Sequence, residues 1–443
     1  MSELYANAVC LAPMVRAGTL PLRLLSLRYG ADLVYSEEII DKRIIASTRV
    51  HNEILNTVDF VSNNGDSVVF RTCPEEQGKV VFQIGTADAV LALKAAEQVA
   101  RDVASVDINM GCPKHFSIQG GMGAALLQKP EVACDILKTL RRNLNIPVSC
   151  KIRLLHDTQA TIDLAKRFED AGAVAIGVHA RQTHERPVDK AHWDQFAPVV
   201  SALSVPVLVN GDVFVREDIA KLREVAGASS FLIARGALAN ASIFRAEGML
   251  PADEVRVMDV IRGCVVVDYL KVAVETDNVF QNTKYNVSRM IPSKSEVGPP
   301  LGSSRVTVAE LGMTKDNMQM FKLWDLQNWY QQHQDAFRAK AAELQHSSMA
   351  SVLLGQLPTD SETTPKFYCT VCKLQLLSDK DVALHSKGKK HKKAMRKLTS
   401  MTVAECVAKE MVAPNDEADV QERAQKRAKI ADENDGSKEI DGQ

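Results

Sequence analysis

Short apolar runs rich in β-branched residues recur through the first half of the chain, and stretches with apolar residues at helical spacing lie between them. The runs are VCLAPM from Val9, LVYSEEI from Leu33, KVVFQIG from Lys79, SVDINMG from Ser105, PVSCKIR from Pro147, VAIGVHA from Val174, PVLVNGD from Pro206 and FLIARG from Phe231. AVLALKAAEQVARDV and TIDLAKRFEDAG are typical of the intervening helical stretches. Parallel strands covered on both faces read as unbroken apolar runs, so the alternation predicts an α/β fold, a (β/α)8 TIM barrel, over residues 1–248. A doubly wound open sheet would use the same elements. It would not explain why Gln83, Asn109, Lys151, His179, Asn210 and Arg235 fall at or just beyond the C-terminal ends of successive runs, which a barrel gathers at one mouth.

Beyond the barrel the pattern becomes helical without strand alternation, which predicts a helical domain over 249–345, interrupted by the loop SKSEVGPPLGSSR. A polar linker over 346–365 leads to a small module at 366–400, and the mixed-charge tail at 401–443 is expected to be disordered.

Composition narrows the class. The chain has 443 residues, 46% hydrophobic and 25% charged, which suits one large domain with smaller ones attached. No apolar run approaches the roughly 18 residues of a membrane span, and no secretory signal is visible, so no membrane partner is expected. Its nine cysteines are mostly scattered singly, which favours a reducing compartment. Cytoplasm is the expected location, with the nucleus as an alternative suggested by the basic cluster and QKRAK at Gln425. A monomer is expected. The net charge of -1 conceals a local imbalance, since Lys366 to Lys397 holds ten Lys or Arg against two acidic residues.

That basic module carries Cys369, Cys372, His385 and His391 in the pattern Cys-x2-Cys-x12-His-x5-His. Two thiolates and two imidazoles at this spacing close a tetrahedral Zn2+ shell with no open position, so the expected zinc is structural. The pattern is similar to matrin or U1-type fingers, which implies contact with structured RNA. Lys387, Lys389, Lys390, Lys392, Lys393, Arg396 and Lys397 surround the second histidine and suit phosphate contacts. DNA is not expected as a partner, because fingers that read bases usually come in arrays and this chain has one. The plainer reading of the cluster is a solvated charged face or a localisation signal.

At the barrel mouth, Cys112 sits between Gly111 and Pro113 and precedes a glycine-rich loop at Gly120, Gly121 and Gly123. A rigid Gly-Cys-Pro at a strand end fixes the direction of a thiol. Lys151, His179 and Arg235 place cations for a phosphate or for the negative charge of a reduced flavin. The last two strand ends, NGD at Asn210 and ARG at Arg235, lie where barrels often hold a phosphate, which makes flavin mononucleotide the economical ligand. No separate nicotinamide domain is visible. The plainer readings are an inert buried cysteine and satisfied ion pairs.

These motifs resemble the tRNA-dihydrouridine synthases. LAPMVRAGTLPLR, DINMGCPK, CKIR, VHAR, VNGD and ARG occur in family order, and NTKYNVSRM at Asn282 resembles the helical domain that follows the barrel. Within the family the chain looks most like the eukaryotic branch acting on D-loop uridine 20, although vertebrate members of that branch carry a double-stranded RNA-binding domain where this chain has a zinc finger. The resemblance implies reduction of the C5=C6 bond of a tRNA uridine with FMN and NADPH or NADH. It implies that Ala12, Pro13, Met14 and Gln83 line the flavin, that Lys151 and His179 lie at its polar edge, and that Asn210, Gly211, Asp212, Ala234, Arg235 and Gly236 hold ribityl and phosphate. Asn109 would position the uracil and Cys112 would be the general acid, donating a proton to C5 while hydride reaches C6. Arg16 and Arg153, at the mouth by position, are candidates for substrate contact, with structural pairing as the alternative. Two other functions compete: an RNA-binding protein with an inactive flavin barrel, and a flavin reductase of a free pyrimidine.

Overall fold

A computed structural model describes residues 2–63, 65, 67–253, 264–292, 304–344, 368–369, 374–375, 379–389 and 391–392. The eight predicted runs all form strands: Val9–Leu11, Leu33–Tyr35, Val80–Gly85, Ser105–Asn109, Val148–Arg153, Ile176–His179, Val207–Asn210 and Ser230–Ile233. All eight pair in parallel, and the ring closes where Val9 meets Phe231. This is the predicted barrel. A two-residue strand, Ile39–Ile40, extends the sheet by pairing with the end of the third barrel strand.

Strand residues alternate sides, so each strand feeds two cores. Outward residues such as Val106, Ile108, Ile152 and Val178 pack beneath the surrounding helices. Inward residues Cys10, Leu33, Tyr35, Leu208 and Leu232 fill the barrel floor together with Tyr5, which enters from the N-terminal turn Ser2–Tyr5. The Tyr5 hydroxyl lies 2.5 Å from Ser105 Oγ and 3.1 Å from Ser149 Oγ, so it is paired despite complete burial.

One part of the fold was not anticipated. Between the second and third barrel strands the chain makes a three-stranded antiparallel sheet, Ser47–Asn52, Thr57–Ser62 and Val68–Thr72. Phe60, Phe70 and Phe82 pack in series from this sheet onto the barrel, the first two tilted at 38° with centroids 5.7 Å apart and the last two edge to face at 4.9 Å. A fully buried bidentate pair, Arg23 with Glu76 at 2.8 and 2.7 Å, pins the return.

The segment expected to be helical supplies five helices among the described residues: Val265–Glu275, Phe280–Met290, Val308–Met313, Asn317–Lys322 and Gln327–Leu344. The first packs on the barrel helix Leu20–Arg28, where the Tyr29 hydroxyl donates to Asp268 at 2.6 Å and Arg28 pairs with Glu275 at 2.9 Å. Residues 254–263 and most of the expected loop at 293–305 lie outside the described residues. No described helix is long and apolar enough to cross a membrane. Residues 1–357 form one compact unit and 358–443 another.

Candidate active site

Register decides which side chains meet at the mouth. Gln83 lies beside Asp107, Asn109 beside Lys151, Lys151 beside Gly177, and Arg153 beside His179, which in turn lies beside Asn210. A side chain at position 177 would come within 3.2 Å of Lys151 Cγ and 2.9 Å of Leu232, so the glycine leaves room for the lysine stem to cross the barrel interior.

A directional chain of hydrogen bonds runs up one wall. Asp107, fully buried, accepts from Ser149 Oγ at 2.7 Å and from Gln83 Nε2 at 2.8 Å. Gln83 Oε1 then accepts from Asn109 Nδ2 at 3.1 Å, and Asn109 Oδ1 accepts from the main-chain N–H of Gly111 at 3.1 Å and of Cys112 at 3.0 Å. Main-chain donors stand at one end and a carboxylate at the other, so both amides have only one orientation that satisfies every bond. Burial pushes the Asp107 carboxyl up to about 6, against the pull of Gln83, Ser149 and Lys151.

Beside this wall, on the next two strands, are the cation Lys151 and the imidazole of His179. Burial draws Lys151 down to about 8, helped by Arg153 and opposed by Asp107. Burial, then Lys151 and the neighbouring arginines, hold His179 well below its ordinary value. Its Nε2 lies 3.3 Å from Arg181 Nη1. Arginine only donates, so Nε2 accepts and the neutral ring carries its proton on Nδ1.

Cys112 is partly buried. Its thiol is pushed up by burial first and then by Glu38, so it rests as a thiol rather than a thiolate. Gly123, at φ 59°, permits the close approach of the loop: a Cβ there would sit 2.7 Å from the Cys112 carbonyl and 2.4 Å from Ser117 Oγ.

The last two strand ends are more committed internally than the residue types suggested. Asn210 Nδ2 donates to the Leu232 carbonyl at 2.7 Å and ties the seventh strand to the eighth. Asp212, at φ 52°, takes Arg181 on both oxygens at 2.7 and 2.6 Å and Arg235 at 2.5 Å. Gly211, at φ 139°, and Gly236 are both buried at these strand ends. Position 236 admits no side chain, since a Cβ would lie 2.1 Å from the Val213 carbonyl.

Ala12 is buried and donates its N–H to Ile233 at 2.9 Å, while Pro13 and Met14 are half-buried beyond the first strand. The guanidinium of Arg153 donates to the carbonyls of Gly111 at 2.8 Å and Gln182 at 3.0 Å. Arg16 has φ 68°, and its carbonyl accepts from Asn282 at 2.6 Å and Asn286 at 3.4 Å. Both asparagines belong to NTKYNVSRM, which thus clamps the loop after the first strand. Sequence reasoning missed Arg181, Glu38, Asn282 and Asn286 as site residues. The arginine of VHAR and the glutamate of YSEE were visible at strand ends.

The donor set suits a planar ligand that accepts hydrogen bonds and gains negative charge: the amides of Gln83 and Asn109 and the ammonium of Lys151 lie on three consecutive strands.

In the C-terminal unit, Cys369 opposes the hairpin strand Leu374–Gln375, and His385 lies on the helix Asp379–Lys387. The ligand atoms of Cys369, His385 and His391 all lie within 4.8 Å of one another. Cys369 Sγ is 3.4 Å from His391 Nδ1, which is 3.2 Å from His385 Nε2. A tetrahedral zinc with ordinary bond lengths requires S–N and N–N separations of roughly 3.5 and 3.3 Å, which the Cys369–His391 and His391–His385 pairs match. Cys372 lies outside the described residues, as do Lys390, Lys393, Arg396 and Lys397, whereas Lys387, Lys389 and Lys392 are exposed.

Comparison with known proteins adds ancestry to this geometry. The dihydrouridine synthase family matches residues 10–288 and the U1 zinc finger matches residues 364–398. A Schizosaccharomyces pombe protein named tRNA-dihydrouridine(20) synthase, NAD(P)+, is 39% identical over 358 residues, covering 79% of this chain and 68% of the relative. A Saccharomyces cerevisiae protein of the same name is 40% identical over 311 residues, covering 66% and 79%. A human tRNA-dihydrouridine(20a/20b) synthase-like protein is 33% identical over 239 residues, covering 53% and 70%.

Proposed function

This chain belongs to the dihydrouridine synthase family, and from that premise we propose that it reduces the C5=C6 bond of a D-loop uridine in tRNA, uridine 20 by its likeness to the two yeast relatives. Flavin mononucleotide, when bound, supplies the hydride that C6 accepts, with NADPH or NADH as its reductant.

The chain's own residues do the rest. Lys151 and neutral His179 hold the polar edge of the ring, and Lys151 places a positive charge where negative charge accumulates. Main chain at 211–212 and 234–236 holds the phosphate end. Asn109 has both oxygen lone pairs engaged by Gly111 and Cys112 and one N–H engaged by Gln83, which leaves one N–H for a uracil carbonyl. As C5 gains carbanion character it needs a proton, and Cys112 gives one. The observation that carries this reading is the thiol itself. Burial and Glu38 keep it protonated, as an acid requires and a nucleophile does not.

A base in folded tRNA must turn out of its stack to enter a barrel mouth, so the enzyme must also grip the backbone. The zinc finger, with Lys387, Lys389 and Lys392 exposed, suits that task.

The test is dihydrouridine content by nucleoside mass spectrometry after incubation of the full chain, flavin and NADPH with unmodified tRNA or with free uridine. Product in tRNA alone supports the reading. Product from free uridine favours a pyrimidine reductase, and no product from either favours an RNA-binding protein with an inactive barrel.

A further inference from the structure

Glu38 enters the reaction so far only through the effect of its charge on the Cys112 thiol, and no proton has yet been assigned to it. It follows the second barrel strand, and its carboxyl lies over the end of the third, where a Cβ on Gly85 would come within 2.7 Å of Oε1. Ser117 Oγ, from the short helix His115–Gln119, donates to the same Oε1 at 3.5 Å. Ser117 Oγ and Cys112 Cβ lie 2.4 and 3.0 Å from one point, the Cβ position of Gly123, so the hydroxyl that meets Glu38 also stands beside Cys112, and the Glu38 charge acts on the thiol. Three elements thus bring a carboxyl, a hydroxyl and a thiol together. The other carboxyl oxygen, Oε2, is buried and makes no hydrogen bond among the described residues. An acceptor left unmade in a buried place is costly, about 1–3 kcal/mol, and points to use.

The charges around the pair are unequal. Lys151 and Arg153, on the fifth strand, interact electrostatically with Cys112. No cation is paired with Glu38 among the described residues. Its neighbour Glu37 is committed elsewhere, accepting the Arg16 N–H at 2.8 Å. A salt-bridged carboxylate would hold its charge and make a poor proton carrier, whereas one beside a hydroxyl and a thiol, with no paired cation among the described residues, is free to gain and lose a proton.

We propose that Glu38 is a positioning and proton-return residue: it carries a proton from water to Cys112 after the thiol has protonated C5. This rests on the reading of Cys112 as the acid. The S–H bond breaks as the C5–H bond forms, leaving a thiolate. The Glu38 carboxylate takes a proton from hydronium, and the new O–H then breaks to re-form S–H, so each turnover consumes one solvent proton and returns Glu38 to the carboxylate. Direct reprotonation from solvent is hindered, because the thiol is partly buried and Glu38 and Ser117 cover one side of it.

The experiment counts product through the first and later turnovers. Full-length enzyme with its flavin, in the presence of excess NADPH, is mixed with excess unmodified tRNA between pH 6 and pH 9, and dihydrouridine is measured over time for wild type, Glu38→Gln and Glu38→Asp. In Glu38→Gln the first equivalent is expected within about threefold of the wild-type rate. Later equivalents are expected at least about tenfold slower, and faster as pH falls and hydronium replaces the carboxyl. Glu38→Asp is expected to recover most of the later rate. A Gln variant slowed equally in first and later turnovers, or in neither, overturns the proposal. Should the Gln variant fail to fold, the Asp variant carries the test: later turnovers slowed more than the first support it, and equal rates overturn it. A Cys112→Ala control separates the two ideas, since an unimpaired first turnover there means that Cys112 is not the acid, whatever Glu38 does.

Discussion

Asn109 Oδ1 accepts the main-chain N–H of Cys112 at 3.0 Å, so the residue expected to position the substrate base also fixes the loop that carries the thiol. The same amide is oriented through Gln83 by Asp107, two residues earlier on its own strand. Thiol placement is thus coupled, through two side-chain amides, to a buried carboxylate.

Replacing Asn109 with Asp would set a carboxylate oxygen against Gln83 Oε1. Two acceptors cannot satisfy each other, and the expected cost is about 1–3 kcal/mol of stability with a loss of turnover of about tenfold or more. Thermal unfolding and single-turnover rates on tRNA check both, and an Asn109→Asp enzyme with normal values would show that the chain does not constrain the loop.

Among the described residues Asp212 is the carboxylate that pairs with Arg181, whose side chain is 2% exposed, while Arg235 on the same carboxylate is 32% exposed. Asp212→Ala leaves Arg181 as a buried charge without its counter-ion, and the expected destabilisation is about 3–5 kcal/mol, read from denaturant unfolding. Asp212→Asn keeps an acceptor oxygen and is expected to lose less.

Lys151 titrates at about 8 in the ligand-free protein because burial disfavours its charge. A lowered lysine is charged below that value and neutral above it. If the charged form holds the flavin, affinity is expected to be flat below pH 8 and to fall about tenfold per pH unit above it, measured by fluorescence titration of flavin-free protein. Lys151→Met is expected to bind weakly at every pH and to lose the step.

Cys369→Ser is expected to remove one zinc per chain by metal analysis, to weaken tRNA binding, and to leave the flavin absorbance unchanged. The finger's ligands come from its own unit, so the barrel does not depend on them. Normal tRNA affinity in this variant would exclude the finger from docking.

The amino-acid sequence by itself determined the eight barrel strands, the positions of their C-terminal ends and the zinc spacing. Each of these is local: a doubly buried strand is a continuous apolar run, and a ligand set close in the chain is close in space. The antiparallel sheet at 47–72 was legible only faintly, in alternations such as TVDFVS, because short period-two segments are easily masked by the stronger barrel pattern. The tertiary structure alone decided which polar ends meet. Barrel closure and register bring Glu38 near Cys112 and put Arg181 and Arg235 on one carboxylate, and the packing of the later helices sets Asn282 on the carbonyl of Arg16, 266 residues earlier in the chain. Periodicity records which face of an element is buried, whereas side-chain pairing depends on the orientation of distant elements. A residue type at a strand end therefore indicates chemistry before folding, and its partner only afterwards.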